Sequence, residues 1–120
     1  MIMTDAANAD WAMTDSGLKY LVLTAGSDKK PTAANTVECH YKGWLDNGTE
    51  FDSSYKRGET ATFPLSRVIR GWTEGLQLIG EGGKIELEIP SALGYGPAGA
   101  PPVIPGNATL HFEVELIKVL

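Results

Sequence analysis

The sequence predicts an α+β domain in which an antiparallel β-sheet of four or five strands packs one face on a single short helix. Four segments alternate apolar and polar residues with a period of two, which is typical of half-buried strands. Only residues 71–78 and their flanks carry apolar residues at helical spacing. The connections between strands are too short for crossovers through helices, so the strands are expected to pair antiparallel.

The composition is that of one globular domain. The chain has 120 residues, 42% of them hydrophobic, which is enough for a core without metals or disulfides. The net charge of −5 and the lack of any basic cluster longer than Lys29-Lys30 exclude an electrostatic nucleic-acid or anionic-membrane surface. The longest apolar runs are far shorter than a membrane span. The single cysteine, Cys39, excludes an internal disulfide.

The first sixteen residues differ in character from the rest of the chain. Residues 1–16 carry three aspartates and no basic residue, and they are predicted to be a flexible leader before a domain at 17–120. The alternative is that Trp11 and Met13 dock onto the domain. The leader lacks the cationic and apolar regions of a secretory signal, so a cytoplasmic monomer is expected.

The strands are predicted in chain order from the alternating segments. The first begins at Leu18 and ends at the turn residues 26–28, and the second covers 37–45. The sequence Asp-Asn-Gly then supplies a turn before a short extended segment at Phe51-Asp52. Two further strands are predicted around residues 84–89 and 110–116.

One helix and one long loop complete the prediction. The helix is expected over residues 71–78 and ends at the Gly-Glu-Gly-Gly sequence that follows Ile79. Its apolar stripe consists of Val68, Ile69, Trp72, Leu76 and Ile79. Five of the seven prolines of the chain fall between residues 90 and 105, in the connection between the last two strands. A loop of this length in a small domain is usually functional.

No template for covalent or metal chemistry is present. His40 and His111 fall on the polar sides of their strands and are predicted to be solvated. No cysteine or histidine cluster has metal-ligand spacing, and the glycines at 80–83 lack the Lys-Ser/Thr of a phosphate loop. Two serines follow Asp52, but no histidine is placed by sequence to activate them, and a hydrolase would need a second acid nearby. No metal and no cofactor are therefore expected.

Four motifs distinguish the sequence. They are HYKGWL followed after five residues by FDSS, then VIRGWTEGL, LGYG and IPGNATLHFEVEL, between residues 40 and 116. In this order and spacing, the chain from residue 18 to residue 120 resembles the FKBP family, the tacrolimus-binding peptidyl-prolyl cis-trans isomerases. The resemblance implies a five- or six-stranded antiparallel sheet wrapped around one short helix, in agreement with the element count above. Its length suggests a single-domain, microbial-type member.

The resemblance also implies an apolar pocket between helix and sheet. Trp72 would be the floor for the prolyl ring. The walls would be Tyr41, Phe51, Val68, Ile69 and Phe112. From periodicity alone, Phe51, Trp72 and Phe112 could instead be plain core residues. Asp52 would lie near the twisting amide.

The remaining implied positions surround this pocket. Arg57 would pair with Asp52, and Tyr95 would donate its hydroxyl to the substrate carbonyl. Ile104 would lie at the rim, with its backbone N–H as a donor to a ligand. A flap over residues 93–106 would carry Tyr95, Val103 and Ile104 over the pocket.

Three positions depart from the family pattern. Ala61 stands where an aromatic ring is often found, Ala100 where a histidine is usual, and Arg67 where an acidic residue is frequent. These differences predict a more open pocket mouth, an altered preference for the residue before proline, and weaker macrolide binding.

The resemblance implies an isomerase acting on Xaa-Pro bonds of peptides and unfolded proteins, with the macrolides tacrolimus and rapamycin as inhibitors. The alternative is a binding, scaffold or chaperone module of the same fold with little turnover. The retained aromatic residues with Asp52 and Tyr95 favour turnover.

Overall fold

The computed structural model describes residues 11–120, whose seven strands form one antiparallel sheet. The elements are β1 (Ala12–Met13), β2 (Lys19–Thr24), β3 (Thr36–Leu45), β4 (Glu50–Ser53), α1 (Ser54–Arg57), β5 (Ala61–Pro64), α2 (Arg70–Gly75), β6 (Lys84–Ile89) and β7 (Leu110–Val119). The strand order is β1-β2-β6-β7-β3-β4, and β5 also pairs with β3. The predicted fold class is confirmed, with seven strands in place of five or six.

Strands β3 and β7 form the centre of the sheet, with ten residues each. They pair antiparallel, with Tyr41 opposite Val114 and Gly43 opposite Phe112. Along β3, Val37, Cys39 and Tyr41 are buried, and Glu38 and His40 between them are half-buried, as the alternating sequence predicts. This register brings aromatic side chains of two neighbouring strands to the same face.

Helix α2 lies on the sheet face that carries these side chains. It continues as a 3-10 turn over Leu76–Leu78, so the helical segment covers the predicted residues 71–78. Gly75 lies so close to β6 that a Cβ there would come within 2.7 Å of Leu87 Cδ2. The helix therefore buries Trp72 against the sheet.

No helix within residues 11–120 is long and apolar enough to cross a membrane.

Two short elements are not predicted from the sequence. Strand β5 pairs with β3 with Phe63 opposite Val37. Helix α1 has only four residues, too few to show an apolar period. Its first turn is capped by Ser53, whose side chain accepts a hydrogen bond from the Lys56 N–H, and it ends at Gly58 with φ 74°.

The predicted leader needs a correction. Residues 1–10 lie outside the described residues, but Ala12–Met13 forms β1 and pairs with β2. The hydroxyls of Thr14 and Ser16 both donate to Glu74 Oε1, at 3.1 Å and 2.5 Å. These bonds hold residues 12–16 against strand β2 and helix α2, so the domain begins before residue 17.

The proline-rich loop between β6 and β7 is folded by its own backbone bonds. Ala100 and Ile104 form an antiparallel bridge, and the Asn107 N–H donates to the Gly96 carbonyl at 2.8 Å. Gly99 turns the chain with φ 67°, and a Cβ there would lie 2.5 Å from the Ile104 carbonyl oxygen. The loop is therefore a defined turn rather than an irregular connection.

Candidate active site

A cavity of about 630 Å³ opens between helix α2, the central strands and the proline-rich loop. All the predicted site residues except Arg57 line it: Tyr41, Phe51, Asp52, Val68, Ile69, Trp72, Tyr95, Val103, Ile104 and Phe112. Phe63, Arg67 and Ala100 also line it. The cavity gathers side chains that are up to 71 positions apart in the sequence, Tyr41 and Phe112 among them.

Trp72 is the centre of an aromatic cluster at the bottom of the cavity. Its ring meets three others edge to face, at centroid distances of 5.2 Å for Tyr41, 5.4 Å for Phe63 and 5.3 Å for Phe112. This is the geometry that aromatic pairs prefer. Trp72 is 4% exposed, and its buried Nε1–H has no acceptor among residues 11–120. The indole ring therefore contributes packed aromatic surface, while its N–H is a buried donor without an acceptor in the described part of the chain.

Gly43 makes room for two of the rings. It lies opposite Phe112 in the sheet, and a Cβ at this position would come within 2.7 Å of both Phe112 Cε1 and Phe51 Cζ. Without that side chain, Phe51 and Phe112 meet at 86° with centroids 5.4 Å apart. The glycine of the HYKGWL motif thus shapes the wall of the cavity.

One side of the cavity is polar. The Tyr41 hydroxyl donates to Asp52 Oδ2 at 2.6 Å. Arg57, on α1, donates from Nη1 to Asp52 Oδ1 at 2.5 Å and from Nη2 to the Tyr41 hydroxyl at 3.0 Å. The structure therefore contains the predicted Arg57–Asp52 pair and adds Tyr41 to it. Arg57 contacts Asp52 and Tyr41 but does not itself line the cavity.

These contacts set the charges of the polar side. Partial burial by itself would raise the pKa of Asp52, but the hydrogen bonds from Tyr41 and Arg57 and the guanidinium charge outweigh it and lower this pKa. Burial, followed by the hydrogen bond to the Asp52 carboxylate, raises the pKa of the Tyr41 hydroxyl. At neutral pH the cavity therefore presents an ionised carboxylate and a protonated phenol.

Ser54 holds Tyr41 in place and lines neither this cavity nor the smaller one beside helix α2. Its hydroxyl accepts the Tyr41 N–H at 2.7 Å and lies 3.2 Å from the Tyr41 carbonyl oxygen. The side chain is fully buried. A third contact, at 2.9 Å, joins Ser54 Oγ to Nδ1 of His40. The structure therefore brings a histidine to a serine, which the sequence analysis did not expect, but neither residue lines the cavity.

The two histidines are not solvated as the sequence predicted. His40 stacks on Tyr55 with centroids 4.6 Å apart, in addition to its contact with Ser54. His111 stacks on Trp44 at 5.8 Å and lies 2.6 Å from an Asp46 oxygen. Both rings are half-buried because aromatic neighbours cover them, and neither lines the cavity.

The mouth of the cavity is formed by the proline-rich loop. Tyr95 is 43% exposed and Val103 is 49% exposed, so both side chains reach solvent. The prediction that Ile104 lies at the rim is wrong, because its side chain is buried. Its N–H already donates to the Ala100 carbonyl at 3.1 Å, so this group is not free for a ligand while the bridge holds.

Phe63 is the site residue that the sequence analysis missed. Along β5, half-buried Ala61 and Phe63 alternate with exposed Thr62 and Pro64, which is a strand pattern of only four residues. That alternation was the available signal, but Pro64 and the short length obscured it. Arg67 and Ala100 were noted only as departures from a family pattern.

The site residues suit binding rather than bond cleavage. Within residues 11–120, Asp52 is the only carboxylate that lines the cavity, so the two-acid hydrolase has no second acid there. In the same part of the chain, no group of three His, Cys, Asp or Glu side chains is placed to hold a metal ion. The arrangement can enclose a small apolar ring beside one fixed negative charge.

Comparison with known proteins agrees with this geometry. Residues 27–117 match the family model of FKBP-type peptidyl-prolyl cis-trans isomerases. The chain is 53% identical over 106 residues to the FKBP-type isomerase FkpA of Aeromonas hydrophila, covering 88% of this chain and 39% of that protein. It is 48% identical over 114 residues to a probable FKBP-type isomerase of Haemophilus influenzae, covering 95% and 47%.

A solved structure is similarly close. The crystal structure of FkpA from Escherichia coli superimposes with a TM-score of 0.88 at 51% identity, covering 91% of this chain and 51% of that one. The chain thus spans about half the length, or less, of the relatives it matches. The extent of the family match and the level of identity show that the chain belongs to the FKBP-type peptidyl-prolyl cis-trans isomerase family.

Proposed function

We propose that this chain is a peptidyl-prolyl cis-trans isomerase that accelerates rotation about Xaa-Pro bonds in peptides and unfolded proteins. The observation that carries the proposal is the cavity floored by Trp72 and walled by Tyr41, Phe63 and Phe112. Its relatives of about 50% identity carry the isomerase name.

The reaction needs no bond to break. Amide resonance gives Xaa-Pro rotation a barrier of about 18–20 kcal/mol, and the uncatalysed exchange takes roughly tens to hundreds of seconds. The twisted transition state loses C–N double-bond character and is less dipolar than the planar amide. An apolar pocket therefore stabilises the twisted form relative to the planar one. Lowering the barrier by about 7 kcal/mol would accelerate exchange on the order of 10⁵-fold.

Each site residue has a role in this mechanism. The prolyl ring rests on Trp72, between the rings that surround it. The exposed Tyr95 hydroxyl donates a hydrogen bond to a substrate carbonyl. Asp52, held ionised by Arg57 and Tyr41, lies beside the twisting amide and favours its altered charge distribution.

We further propose that tacrolimus and rapamycin bind in the same cavity. Ala100 lines the mouth with a methyl group, which leaves it wider than a larger side chain would. Weaker macrolide binding than in members with a larger residue there is the expected consequence.

The competing function is a binding or scaffold module that occupies the cavity without turnover. The ionised Asp52 favours catalysis, because a purely apolar docking pocket gains nothing from a fixed charge beside its ligand. Binding without turnover would place the protein in the scaffold class.

The test is isomer exchange of an Ala-Leu-Pro-Phe peptide, measured by NMR exchange spectroscopy. The protein should accelerate exchange, and Asp52→Ala should reduce kcat/KM roughly 10- to 100-fold, as expected for the loss of one charge-assisted interaction. Asp28→Ala, which removes a carboxylate that lines neither cavity described here, is the matched control. No acceleration by the unmodified protein, together with tight macrolide binding, would establish the scaffold function instead.

A further inference from the structure

A second cavity adjoins the aromatic one. It has a volume of about 440 Å³, and six of its eight lining residues are polar or charged, Ser66, Thr73, Glu74 and Gln77 among them. The side chain of Val68 lines both cavities. A peptide chain that leaves the aromatic cavity over Val68 therefore enters the second one.

Two arginines flank Val68, one in each cavity. Arg67 lines the aromatic cavity and Arg70 lines the second. Both side chains are exposed, and neither forms an ion pair with any of residues 11–120. Arg57, by contrast, forms an ion pair with Asp52. Their positive charges are therefore available to a ligand.

The other charged groups of the two cavities are already engaged by neighbouring side chains. Asp52 is offset by Arg57. Glu74 lines the second cavity, and its Oε1 accepts the hydroxyl bonds from Thr14 and Ser16. The walls of the two cavities thus carry two arginines and two carboxylates, and only the arginines have neither an ion pair nor a side-chain hydrogen bond among residues 11–120. The two guanidinium groups without a partner favour an anionic ligand.

We propose that the substrate chain extends from the aromatic cavity across Val68 into the second cavity, where Arg67 and Arg70 select acidic residues flanking the proline. This inference rests on the proposed isomerase function. An extended peptide advances about 3.3 Å per residue, so side chains one or two positions from the proline lie within about 7 Å of it and are the first candidates. Ion pairs at exposed sites are modest, so each arginine should contribute about two- to fivefold.

The experiment compares matched peptides that contain one Xaa-Pro bond. Glu, Gln or Lys is placed in turn directly before the proline, two positions before it, and directly after it. At the best position, kcat/KM for the Glu peptide should exceed that for the Lys peptide by roughly two- to fivefold per engaged arginine. The preference should shrink in about 0.5 M salt, because salt screens exposed charges.

Charge reversal identifies the residues responsible. Arg67→Glu and Arg70→Glu should each lower the Glu-to-Lys ratio of kcat/KM, and the double variant should invert it. Arg67→Lys should retain the preference. Lys30→Glu makes the same charge change at an exposed lysine that lines neither cavity, and it should leave the ratio unchanged.

The outcomes separate this inference from the isomerase function. Acceleration of all peptides without an acidic preference at any position overturns the inference and leaves the isomerase intact. An equal effect of Lys30→Glu and Arg67→Glu also overturns it, because the effect is then long-range charge. If no peptide is accelerated, the same ratios are measured as peptide affinities by NMR titration. A Glu preference that Arg67→Glu abolishes then supports the extended site in a binding protein, and its absence refutes it.

Discussion

The Tyr41 hydroxyl donates a 2.6 Å hydrogen bond to the Asp52 carboxylate, and Arg57 binds both groups from outside the cavity. The three side chains come from β3, β4 and α1, so the contact joins three consecutive elements at one edge of the site. Its effect is to fix an ionised carboxylate beside an aromatic ring. The four-residue helix α1 matters for function because it returns Arg57 to this contact.

Removing Arg57 should raise the pKa of Asp52. In the native protein this pKa is lowered, so the contact stabilises the fold above the unfolded value of about 3.9, and this stabilisation is lost as the pH falls through the native pKa. In Arg57→Ala the native pKa should lie closer to the unfolded value, so the stabilisation that is lost on acidification should be smaller. NMR titration of the Asp52 carboxyl and unfolding at several pH values measure both effects. Lys56→Ala, on the same helix and paired with Glu50, should leave Asp52 unchanged.

Isomerase activity should be nearly independent of pH between about 6 and 9. Asp52 has a lowered pKa and Tyr41 a raised one, so both keep their protonation state across this range. No histidine lines the cavity among residues 11–120. The measurement is kcat/KM for a neutral peptide at constant ionic strength. A bell-shaped profile with a limb near neutrality would contradict the mechanism.

Gly43→Ala should damage the cavity more than the fold. The added Cβ would press on Phe51 and Phe112 at 2.7 Å and push the rings into the space of the substrate. Overpacking of this kind costs about 1–3 kcal/mol of unfolding free energy, and we expect kcat/KM to fall at least roughly tenfold. Gly75→Ala is the matched control, since its Cβ would press on Leu87 in the core at 2.7 Å. Equal losses of activity in the two variants at equal stability would count against a role of Gly43 in shaping the site.

The Cys39 thiol should be inert in the native protein. It is fully buried, and burial, with a smaller contribution from the Glu38 charge, raises its pKa to about 12. Thiolate is the reactive form, so a thiol reagent at about pH 8 should react only after unfolding. The rate of labelling with and without denaturant checks this. Rapid labelling of the native protein would show that the β3–β5 region opens locally.

Ser16→Ala should loosen the start of the domain. It removes one of the two hydroxyl bonds to Glu74, which are the side-chain ties between this segment and helix α2. Losing a hydrogen bond worth about 1 kcal/mol raises the equilibrium constant for local opening of this segment roughly fivefold. The readout is hydrogen exchange of the Thr14 amide, which donates to the Leu18 carbonyl at 2.9 Å. Ser66 lies in the second cavity, as Ser16 does, but has no bond to Glu74. In Ser66→Ala the Thr14 amide should therefore exchange at the original rate.

The long elements could be predicted from the sequence, and the short ones could not. Strands β3, β6 and β7 alternate over six to ten residues, and the helix around Trp72 has a full apolar stripe, so their patterns predict them. Strand β5 and helix α1 have four residues each, too few for a period to be seen. Two-residue β1 depends on pairing with β2, which is a tertiary contact.

The candidate site divides in the same way. The motifs identified ten of the residues that line the aromatic cavity, but only through resemblance, because core and pocket aromatics have the same periodicity. The engagement of the Ile104 N–H by Ala100 could not be predicted, since it depends on how the loop folds back on itself. The Tyr41–Asp52 contact likewise depends on the β3–β4 register.

The cavity draws its floor and its mouth from different kinds of structure. Trp72, Tyr41 and Phe112 are buried in a helix and two central strands. Tyr95, Ala100 and Val103 belong to a loop whose backbone hydrogen bonds join it to itself. Mutations at the floor therefore change stability and chemistry together, while mutations at the mouth change which chains enter. Such a separation would let a lineage change which peptides enter by altering a few loop positions, with the aromatic floor left intact.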